Sequence, residues 1–168
     1  YRLRSGGPED EHMNLLLKLG LAGLALLVGG AIFGPLFAPQ GPEAIDITRE
    51  LLAPNAHNLM GTGVNGTDVL SWVLHGARIS LTVGVCVVSV SLSIGLLMGT
   101  LAGYYGGWFD FGLMRVVDVL LAFPGILLAI YIAAVLPPSL INVVLALSAT
   151  GWVGYARLVR GQVLQVRE

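Results

Sequence analysis

The chain alternates long apolar stretches with shorter polar ones. Residues 15–37, 79–102, 113–136 and 140–158 are predominantly apolar, and residues 38–78 form the one sizeable polar segment. About 20 apolar residues in a helix are enough to cross a ~30 Å hydrocarbon core. The charge-free run 79–102 would be roughly 36 Å long at 1.5 Å per residue. The pattern therefore predicts an all-α membrane protein with four transmembrane helices.

Composition agrees with this prediction and narrows the class of protein. Of the 168 residues, 55% are hydrophobic and 11% are charged, whereas a soluble domain carries about 25% charged residues. Such a chain cannot cover itself with a polar surface, so we expect the bilayer to be its main solvent. The single cysteine, Cys86, lies in an apolar run and cannot form an internal disulfide. Met13 is a candidate start residue, and residues 1–14 are expected to be a cytoplasmic amino-terminal segment.

The distribution of basic residues predicts the orientation of the helices. With the amino end inside, the outer segment holds only Arg49 and Arg78. The inner segments then hold the other basic residues, which are Arg2, Arg4, Lys18, Arg115, Arg157, Arg160 and Arg167. Connections rich in Lys and Arg face the cytoplasm. We therefore expect residues 103–112 and 159–168 on the cytoplasmic side and residues 38–78 outside.

A glycine-rich and aromatic segment, 103–112, separates the second and third apolar blocks. It contains Gly103, Tyr104, Tyr105, Gly106, Gly107, Trp108 and Asp110. Glycine marks turns, and Trp and Tyr favour the membrane–water interface. The composition predicts a short connection, or hinge, at the inner membrane surface.

The third apolar block carries two charges and a proline. Arg115 and Asp118 are three residues apart and can pair on one face of a helix at the membrane boundary. Placed deeper in the membrane, each would need a partner. Pro124 cannot donate a hydrogen bond to the carbonyl of Leu120, so the sequence predicts a kink there.

Small residues recur every four positions on two of the predicted helices. The stripes are Ser91, Gly95, Gly99 and Gly103 on one helix, and Ala146, Thr150 and Gly154 on the other. A stripe of small side chains lets a second helix approach closely. A face that lines a substrate pathway is the functional alternative for the first stripe.

The polar segment 38–78 is longer than an ordinary connection, which predicts a small extramembrane element with a function. Within it, residues 68–74 are expected to form an interfacial helix that begins at Asp68. Thr67 is a candidate cap for this helix, and Trp72 is a candidate membrane anchor.

No catalytic, cofactor-binding or metal-binding pattern is present in the sequence. The only lysine, Lys18, stands between Leu17 and Leu19, which excludes a nucleotide-binding P-loop. His57 and His75 could both lie in the outer segment, but without an HExxH pattern or a cysteine partner they are better interpreted as surface histidines. A basic patch for nucleic acid is missing as well. The chain is therefore not expected to be an enzyme or to need a cofactor.

An ordered series of motifs resembles one family of transport proteins. The motifs are Gly76-Ala77-Arg78-Ile79-Ser80-Leu81, Leu101-Ala102-Gly103-Tyr104-Tyr105-Gly106-Gly107-Trp108-x-Asp110, Leu113-Met114-Arg115-x-x-Asp118, Leu121-Ala122-Phe123-Pro124, Pro138-Ser139-Leu140-x-Asn142-Val143 and Gly151-Trp152-x-Gly154-Tyr155-Ala156-Arg157-Leu158-Val159-Arg160-Gly161. Over residues 15–168 they resemble the C-type permease subunit of bacterial dipeptide, oligopeptide and nickel importers of the ATP-binding-cassette (ABC) class. The positions taken as family-motif or structural residues are Asp68, Gly76, Arg78, Gly103, Gly106, Gly107, Trp108, Asp110, Arg115, Asp118, Pro124, Gly154, Arg157 and Arg160.

The resemblance implies a permease subunit that forms part of a translocation pathway in the bacterial inner membrane. The implied partners are a second permease subunit, two cytoplasmic ATPase subunits, an extracytoplasmic substrate-binding protein and membrane lipid. ATP would be hydrolysed on the ATPase subunits. Di- or oligopeptides are favoured as substrates, because nickel would prefer histidine or acidic groups along its path and His75 is the only nearby candidate. A nickel permease, a self-contained four-helix transporter and a truncated, non-transporting membrane scaffold are the alternatives.

The chain departs from the family pattern in two places. The outer segment retains Gly61, Thr62, Gly66, Asp68 and Ser71. Gly63, Thr67 and Trp72 stand where family members usually carry Asp, Arg and Arg, and these lost charges bear on how the segment docks its extracytoplasmic partner. The family also continues beyond Arg167-Glu168 into a cytoplasmic coupling helix and two more spanning helices. The chain thus resembles the amino-terminal two-thirds of a permease.

Overall fold

The fold is all-α, as the apolar pattern predicts. The computed structural model describes residues 8–42 and 44–167, with side chains from 13 to 166 except at position 43. Its helices are α1 (Pro8–Phe37), α2 (Val69–Tyr105), α3 (Gly107–Ala122), α4 (Gly125–Val135) and α5 (Leu140–Arg167), with short 3-10 turns at Ile47–Arg49 and Val64–Gly66. The predicted roles of Arg2 and Arg4, and of the side chain of Arg167, lie outside the described residues.

Two helices are long and apolar enough to cross a membrane. They comprise Met13–Phe37 and Val69–Tyr105. Helices α3 and α4 meet this criterion only as a pair, and they are bent by 85° at the break between them. The described residues therefore contain two candidate spans, or three if the bent pair is one span, where the sequence predicts four. Helix α5 is not among them, because polar residues such as Asn142, Ser148 and Thr150 interrupt its apolar half.

The chain divides into two compact units, residues 1–81 and 82–168. In the first unit, Ala31 and Gly34 form the buried face of α1. A methyl group added at Gly34 would lie 2.9 Å from a methyl carbon of Leu74. Glycine at this position therefore lets the end of α1 touch the start of α2.

The start of α2 differs from the sequence prediction. Residues 69–74 do not form a separate interfacial helix, because α2 runs without interruption from Val69 to Tyr105. The capping side chain is Asp68, whose Oδ2 accepts a hydrogen bond from the backbone N–H of Ser71 at 2.8 Å. Thr67 does not act as the cap, and its hydroxyl instead donates to the carbonyl of Val64 at 3.4 Å. An acidic cap satisfies one of the free N–H groups of the first turn.

The hinge between α2 and α3 is narrower than the predicted segment 103–112. Helix α2 continues to Tyr105, α3 begins at Gly107, and only Gly106 separates them. Gly106 has φ 63° and ψ −155°, a backbone conformation that is open essentially to glycine alone. Gly107 follows with φ 54°. The two glycines change the direction of the chain between adjacent residues. A longer flexible loop is therefore not needed at this position.

The predicted kink at Pro124 is a full break. Phe123 is extended, with φ −92° and ψ 139°, as expected for a residue that precedes proline. The carbonyl of Pro124 accepts hydrogen bonds from the N–H groups of Leu127 and Leu128 at 2.9 and 3.2 Å. Pro124 therefore ends α3 by removing a donor and starts α4 by supplying the first acceptor.

The second unit is organised by the close contact of α2 with α5. Ser91, Gly95, Gly99 and Gly103 are all buried, which confirms that this stripe is a helix-contact face. Ser91 faces Gly151, Gly95 faces Tyr155, Gly99 faces Val159 and Gly103 faces Val163. The facing positions advance together along both helices, so α2 and α5 run parallel.

The second predicted stripe, on α5, is only partly correct. Ala146 is buried and Thr150 lies against Gly125 of α4. Gly154 is exposed, and the structure places no heavy atom within 4 Å of a Cβ built there. The face of α5 that packs on α2 is instead the one that carries Tyr155 and Val159. Spacing alone did not identify this face because small residues occur on several sides of α5.

Candidate functional site

The first candidate site is a polar network around Asp68 in the polar segment 38–78, which we call the outer segment after its predicted side of the membrane. One carboxylate oxygen of Asp68 accepts from the side-chain amide of Asn58 at 2.9 Å. The other accepts from the backbone N–H and the hydroxyl of Ser71 at 2.8 and 2.7 Å. The Ser71 hydroxyl oxygen in turn accepts from the N–H of Gln40 at 3.1 Å, and Trp72 Nε1 donates to the carbonyl of Pro42 at 3.0 Å. The network therefore fastens the chain that leaves α1 to the first turn of α2.

Asp68 is charged within this network despite its burial. It is 2% exposed, and burial acts to raise its pKa. The hydrogen bonds from Asn58 and Ser71 outweigh that effect and hold the pKa of Asp68 below its usual value. The buried carboxylate is thus the acceptor that organises the surrounding donors.

Backbone turns around Thr62 complete the outer site. The Thr62 hydroxyl accepts from the N–H of Leu52 at 2.8 Å and donates to the carbonyl of Arg49. Gly66 has φ 67°, and a Cβ there would collide with the backbone of Asp46. The outer motif positions that the sequence retains, Gly61, Thr62, Gly66, Asp68 and Ser71, are all buried. Their burial indicates that they stabilise the fold of the segment.

The three positions that depart from the family pattern lie around one cavity. Gly63, Thr67 and Trp72 line one cavity of about 430 Å³, together with Val64, Asn65, Val69 and Val73. No charged side chain lines it. The departures therefore convert one local surface to an uncharged one and leave the buried network intact.

The second candidate site joins α3 to α5 through two ion pairs. Arg160 donates from Nε and Nη2 to the two carboxylate oxygens of Asp110, the latter at 2.6 Å. Arg157 Nη2 lies 2.8 Å from Asp118 Oδ1. The Asp110–Arg160 pair is more buried, with exposed side-chain fractions of 29% and 16% for Arg160 and Asp110, against 54% and 56% for Arg157 and Asp118. A bidentate, half-buried pair fixes geometry more strongly than an exposed one.

The predicted pairing of Arg115 with Asp118 is not observed. Asp118 pairs with Arg157, and Arg115 lies over the ring of Phe111 with 5.5 Å from its guanidinium carbon to the ring centre. A cation above an aromatic face is a favourable contact. Sequence spacing identified Asp118 as a residue in need of a partner, but it could not choose an arginine 39 positions away over one three positions away.

Aromatic side chains surround the hinge. Trp108 is 92% exposed. Tyr104 and Tyr105 meet edge to face with ring centres 5.3 Å apart, and Phe109 lies 6.3 Å from Tyr105. Such exposed aromatics are typical of a helix end at a membrane–water interface.

Two of the remaining motif residues lie further along α2. Gly76 is half-buried in α2, and Arg78 is exposed on the same helix. No heavy atom lies within 4 Å of a Cβ built at Gly76. Within residues 8–42 and 44–167, no cluster of three or more His, Cys, Asp or Glu side chains could hold a metal ion.

The stability of the outer segment is expected to depend on Asp68. Asp68→Ala would leave the Asn58 amide and both Ser71 donors without their acceptor, at about 1–3 kcal/mol for each stranded buried group. We expect faster hydrogen exchange and proteolysis of residues 44–71. Because the folded-state pKa is lowered, this stabilisation is complete above about pH 4 and is lost as the pH falls through the folded-state pKa.

Asp46→Ala is the matched control for Asp68→Ala. Asp46 accepts hydrogen bonds from Thr48 in the same segment but is exposed. Equal protection of residues 44–71 in Asp68→Ala and Asp46→Ala would show that the buried network does not hold the segment.

Comparison with known proteins identifies close relatives of the chain. Residues 95–168 match the family described as binding-protein-dependent transport system inner membrane component. The chain is 40% identical to a dipeptide transport system permease protein of Bacillus subtilis over 153 residues, which cover 89% of this chain and 48% of that protein. It is 36% identical to an oligopeptide transport system permease protein of Bacillus subtilis, covering 92% and 50%, and 37% identical to a nickel transport system permease protein of Escherichia coli K12, covering 90% and 55%. The chain spans about half the length of these relatives, and not the two-thirds that the sequence predicts.

Proposed function

We propose that the chain forms part of the translocation pathway of an ABC importer. Its carboxyl-terminal half matches the family of binding-protein-dependent transport system inner membrane components, and its relatives include permeases of peptide and nickel importers. The observation that carries the proposal is the overlap between the matched region and the packed second unit. Residues 95–168 include the carboxyl-terminal end of α2 and α3, α4 and α5 in full. The elements held together by the glycine stripe and the two ion pairs are thus those that the family match covers.

Four membrane spans are proposed, with the amino end in the cytoplasm. The parallel packing of α2 and α5 supports this topology. The first turns of α5, at Leu140 and Ile141, share an apolar cavity of about 270 Å³ with Thr82 and Cys86 of α2. From there to the contact of Gly103 with Val163 is roughly 30 Å of helix, about the thickness of a hydrocarbon core. Two parallel spans require the chain between them to cross back, and α3 with α4 is the segment available to do so.

A cysteine at Asn55 tests this orientation. In a Cys86→Ser background, Asn55→Cys is expected to react with a membrane-impermeant maleimide added outside intact cells, because residues 38–78 would face outward. A cysteine at Trp108, which is 92% exposed near the hinge, should react only after the membrane is opened. Labelling of the two positions in the opposite order would overturn the proposed orientation.

The proposed assembly places ATP hydrolysis on other subunits. A second permease would complete the pathway, two cytoplasmic ATPases would drive alternating access, and an extracytoplasmic binding protein would deliver substrate to the outer segment. The Asp68 network would keep that segment at a fixed position relative to the start of α2. The bidentate Asp110–Arg160 pair would make α3 and the end of α5 move as one body on the cytoplasmic side.

Di- or oligopeptides are the proposed substrates. Nickel would favour histidine or carboxylate ligands, and His75 is engaged with the carbonyl of Ser71 at 2.8 Å. The hydrogen-bonding groups and apolar surface of the outer segment suit a peptide better than a metal ion. The nickel transport relatives make nickel the second candidate, on the strength of 37% identity.

Transport in vesicles tests the proposed function. The chain would be co-expressed with a partner permease, ATPases and binding protein, isolated with an affinity tag on the ATPase, and reconstituted. We expect the chain to co-purify and ATP to drive uptake of a labelled dipeptide, with no uptake when the ATPase is inactivated. Uptake without nucleotide would overturn the proposal in favour of a self-contained transporter. Complex formation without uptake of dipeptide, oligopeptide or nickel would favour a scaffold.

A further inference from the structure

The uncharged cavity beside Trp72 is preformed by the backbone of the outer segment. Its rim is fixed by a hydrogen bond of 2.9 Å from the N–H of Gly63 to the carbonyl of Thr67. Another, of 3.0 Å, joins the N–H of Asp46 to the carbonyl of Asn65. The indole of Trp72 is held by its bond to the carbonyl of Pro42. The cavity of about 430 Å³ is therefore a feature of the folded segment and does not depend on one mobile side chain.

The chemistry of the lining favours an apolar occupant. Val64, Val69, Trp72 and Val73 supply its walls, and no charged group lines it. Val64, Trp72 and Val73 remain 63%, 55% and 53% exposed. The polar edge of Trp72 is already satisfied, so its ring presents mainly apolar surface. The remaining lining side chains are one amide and one hydroxyl, so an ionic ligand would find no group of opposite charge here.

The contact between α1 and α2 places the cavity at the membrane boundary. Leu74 touches Gly34, and the apolar span of α1 ends three residues later, at Phe37. Trp72 and Val73 adjoin Leu74, so they lie at the level where that span ends. Leu36 and Phe37 at the same level are 80% and 77% exposed. A tryptophan with a satisfied N–H and an open ring face is typical of this depth.

We propose that the cavity lined by Val64, Val69, Trp72 and Val73 holds part of an acyl chain of a membrane phospholipid, namely the part nearest the headgroup. The inference rests on the membrane placement given under the proposed function. The lipid occupant follows from the uncharged walls and from continuity with the membrane-facing ends of α1 and α2. A phospholipid seated there would cover exposed apolar surface of the outer segment and hold that segment against the bilayer.

Fluorescence quenching by brominated lipid tests the proposal. The full chain would be reconstituted in phosphatidylcholine and phosphatidylglycerol vesicles, at 3 to 1, with acyl chains brominated either near the headgroup or near the methyl end. The contribution of Trp72 is the difference between wild type and Trp72→Phe. We expect it to be quenched at least twofold more by the shallow bromines than by the deep ones. The difference between wild type and Trp108→Phe reports a tryptophan outside the cavity.

Paired charge substitutions separate binding in the cavity from general contact with the membrane. Val64→Asp puts a carboxylate on the cavity wall, and we expect it to reduce quenching of Trp72 by half or more. Ile47→Asp also introduces a carboxylate, but at an exposed residue of the other 3-10 turn, outside the cavity. Quenching of Trp72 should be unchanged in this variant. Equal effects of the two substitutions would overturn the proposal.

A second probe tests the proposal without the charge substitutions, which could impair folding. A spin label at Val73→Cys, in a Cys86→Ser background, should be more accessible to oxygen than to a water-soluble nickel chelate. Trp72 that is quenched by aqueous acrylamide and by neither brominated lipid would overturn the proposal, because the cavity would then be open to water. The lipid readouts need no ATPase, so dipeptide uptake with an unquenched Trp72 would refute the lipid site alone. Quenching without uptake would refute only the transport proposal.

Discussion

Gly99→Leu is expected to separate α2 from α5 and to abolish the folded second unit. A Cβ at position 99 would lie 2.5 Å from the carbonyl oxygen of Ala156 and 2.9 Å from Cβ of Val159. One of these neighbours is backbone, so a side-chain rotation cannot relieve the collision. Overpacking costs about 1–3 kcal/mol even where neighbours adjust. Helices in a membrane also depend on close packing for their association. We expect a large fall in the midpoint of detergent-induced unfolding and loss of any transport.

Gly84→Leu is the control, because it makes the same change on the same helix. Gly84 is exposed, and no heavy atom lies within 4 Å of a Cβ built there. Its unfolding midpoint should stay close to that of the wild type. Similar losses at positions 84 and 99 would mean that glycine is needed for the flexibility of α2 and not for contact with α5.

The sequence predicted the contact face of α2 because one physical requirement determines it. Close approach of two helices demands small side chains at helical spacing, and the stripe from Ser91 to Gly103 meets that demand. The partner face on α5 was not predictable in the same way, because Tyr155 and Val159 form its contacts through their Cβ atoms. Large residues of this kind carry no signature of a close contact until the register of the two helices is known.

The break at Pro124 shows the limit of a local rule. Proline predicts the loss of one hydrogen bond and so a bend, but an 85° change of direction requires a new helix start as well. That start arises because Pro124 supplies an acceptor to the N–H groups of Leu127 and Leu128. This break is why the third apolar block forms two helices and not one continuous helix.

The outer segment was the least predictable part of the chain. Its motif residues indicated that Asp68 matters, but the reason for this lies in contacts across ten positions to Asn58 and across the α1 exit through Ser71 and Gln40. Turns of this kind depend on left-handed residues, such as Asn65 with φ 74°. Asparagine tolerates that conformation, but its presence alone does not fix where the next chain segment passes.

Asp110→Ala is expected to loosen the contact of α3 with the end of α5. It would leave Arg160, whose side chain is 29% exposed, without the carboxylate that takes two of its N–H groups. Hydrogen bonds to a charged group contribute about 1.5–3 kcal/mol, and partial exposure places this pair toward the lower figure. The measurement is detergent-induced unfolding followed by circular dichroism, combined with transport if the complex assembles.

A charge swap distinguishes the pair from the individual side chains. If the interaction itself stabilises the contact of α3 with α5, Asp110→Arg combined with Arg160→Asp should recover part of the stability that each change removes alone. The exposed pair of Asp118 with Arg157 supplies the comparison, because Asp118→Ala should cost no more than about 1 kcal/mol. No recovery in the double variant, or a larger loss at Asp118 than at Asp110, would show that burial does not rank these two pairs. Asp110 lies four residues after Gly106. A confirmed ranking would therefore also explain how a hinge of one residue keeps a fixed angle. The glycine permits the change of direction, and the ion pair then holds α3 in its new direction.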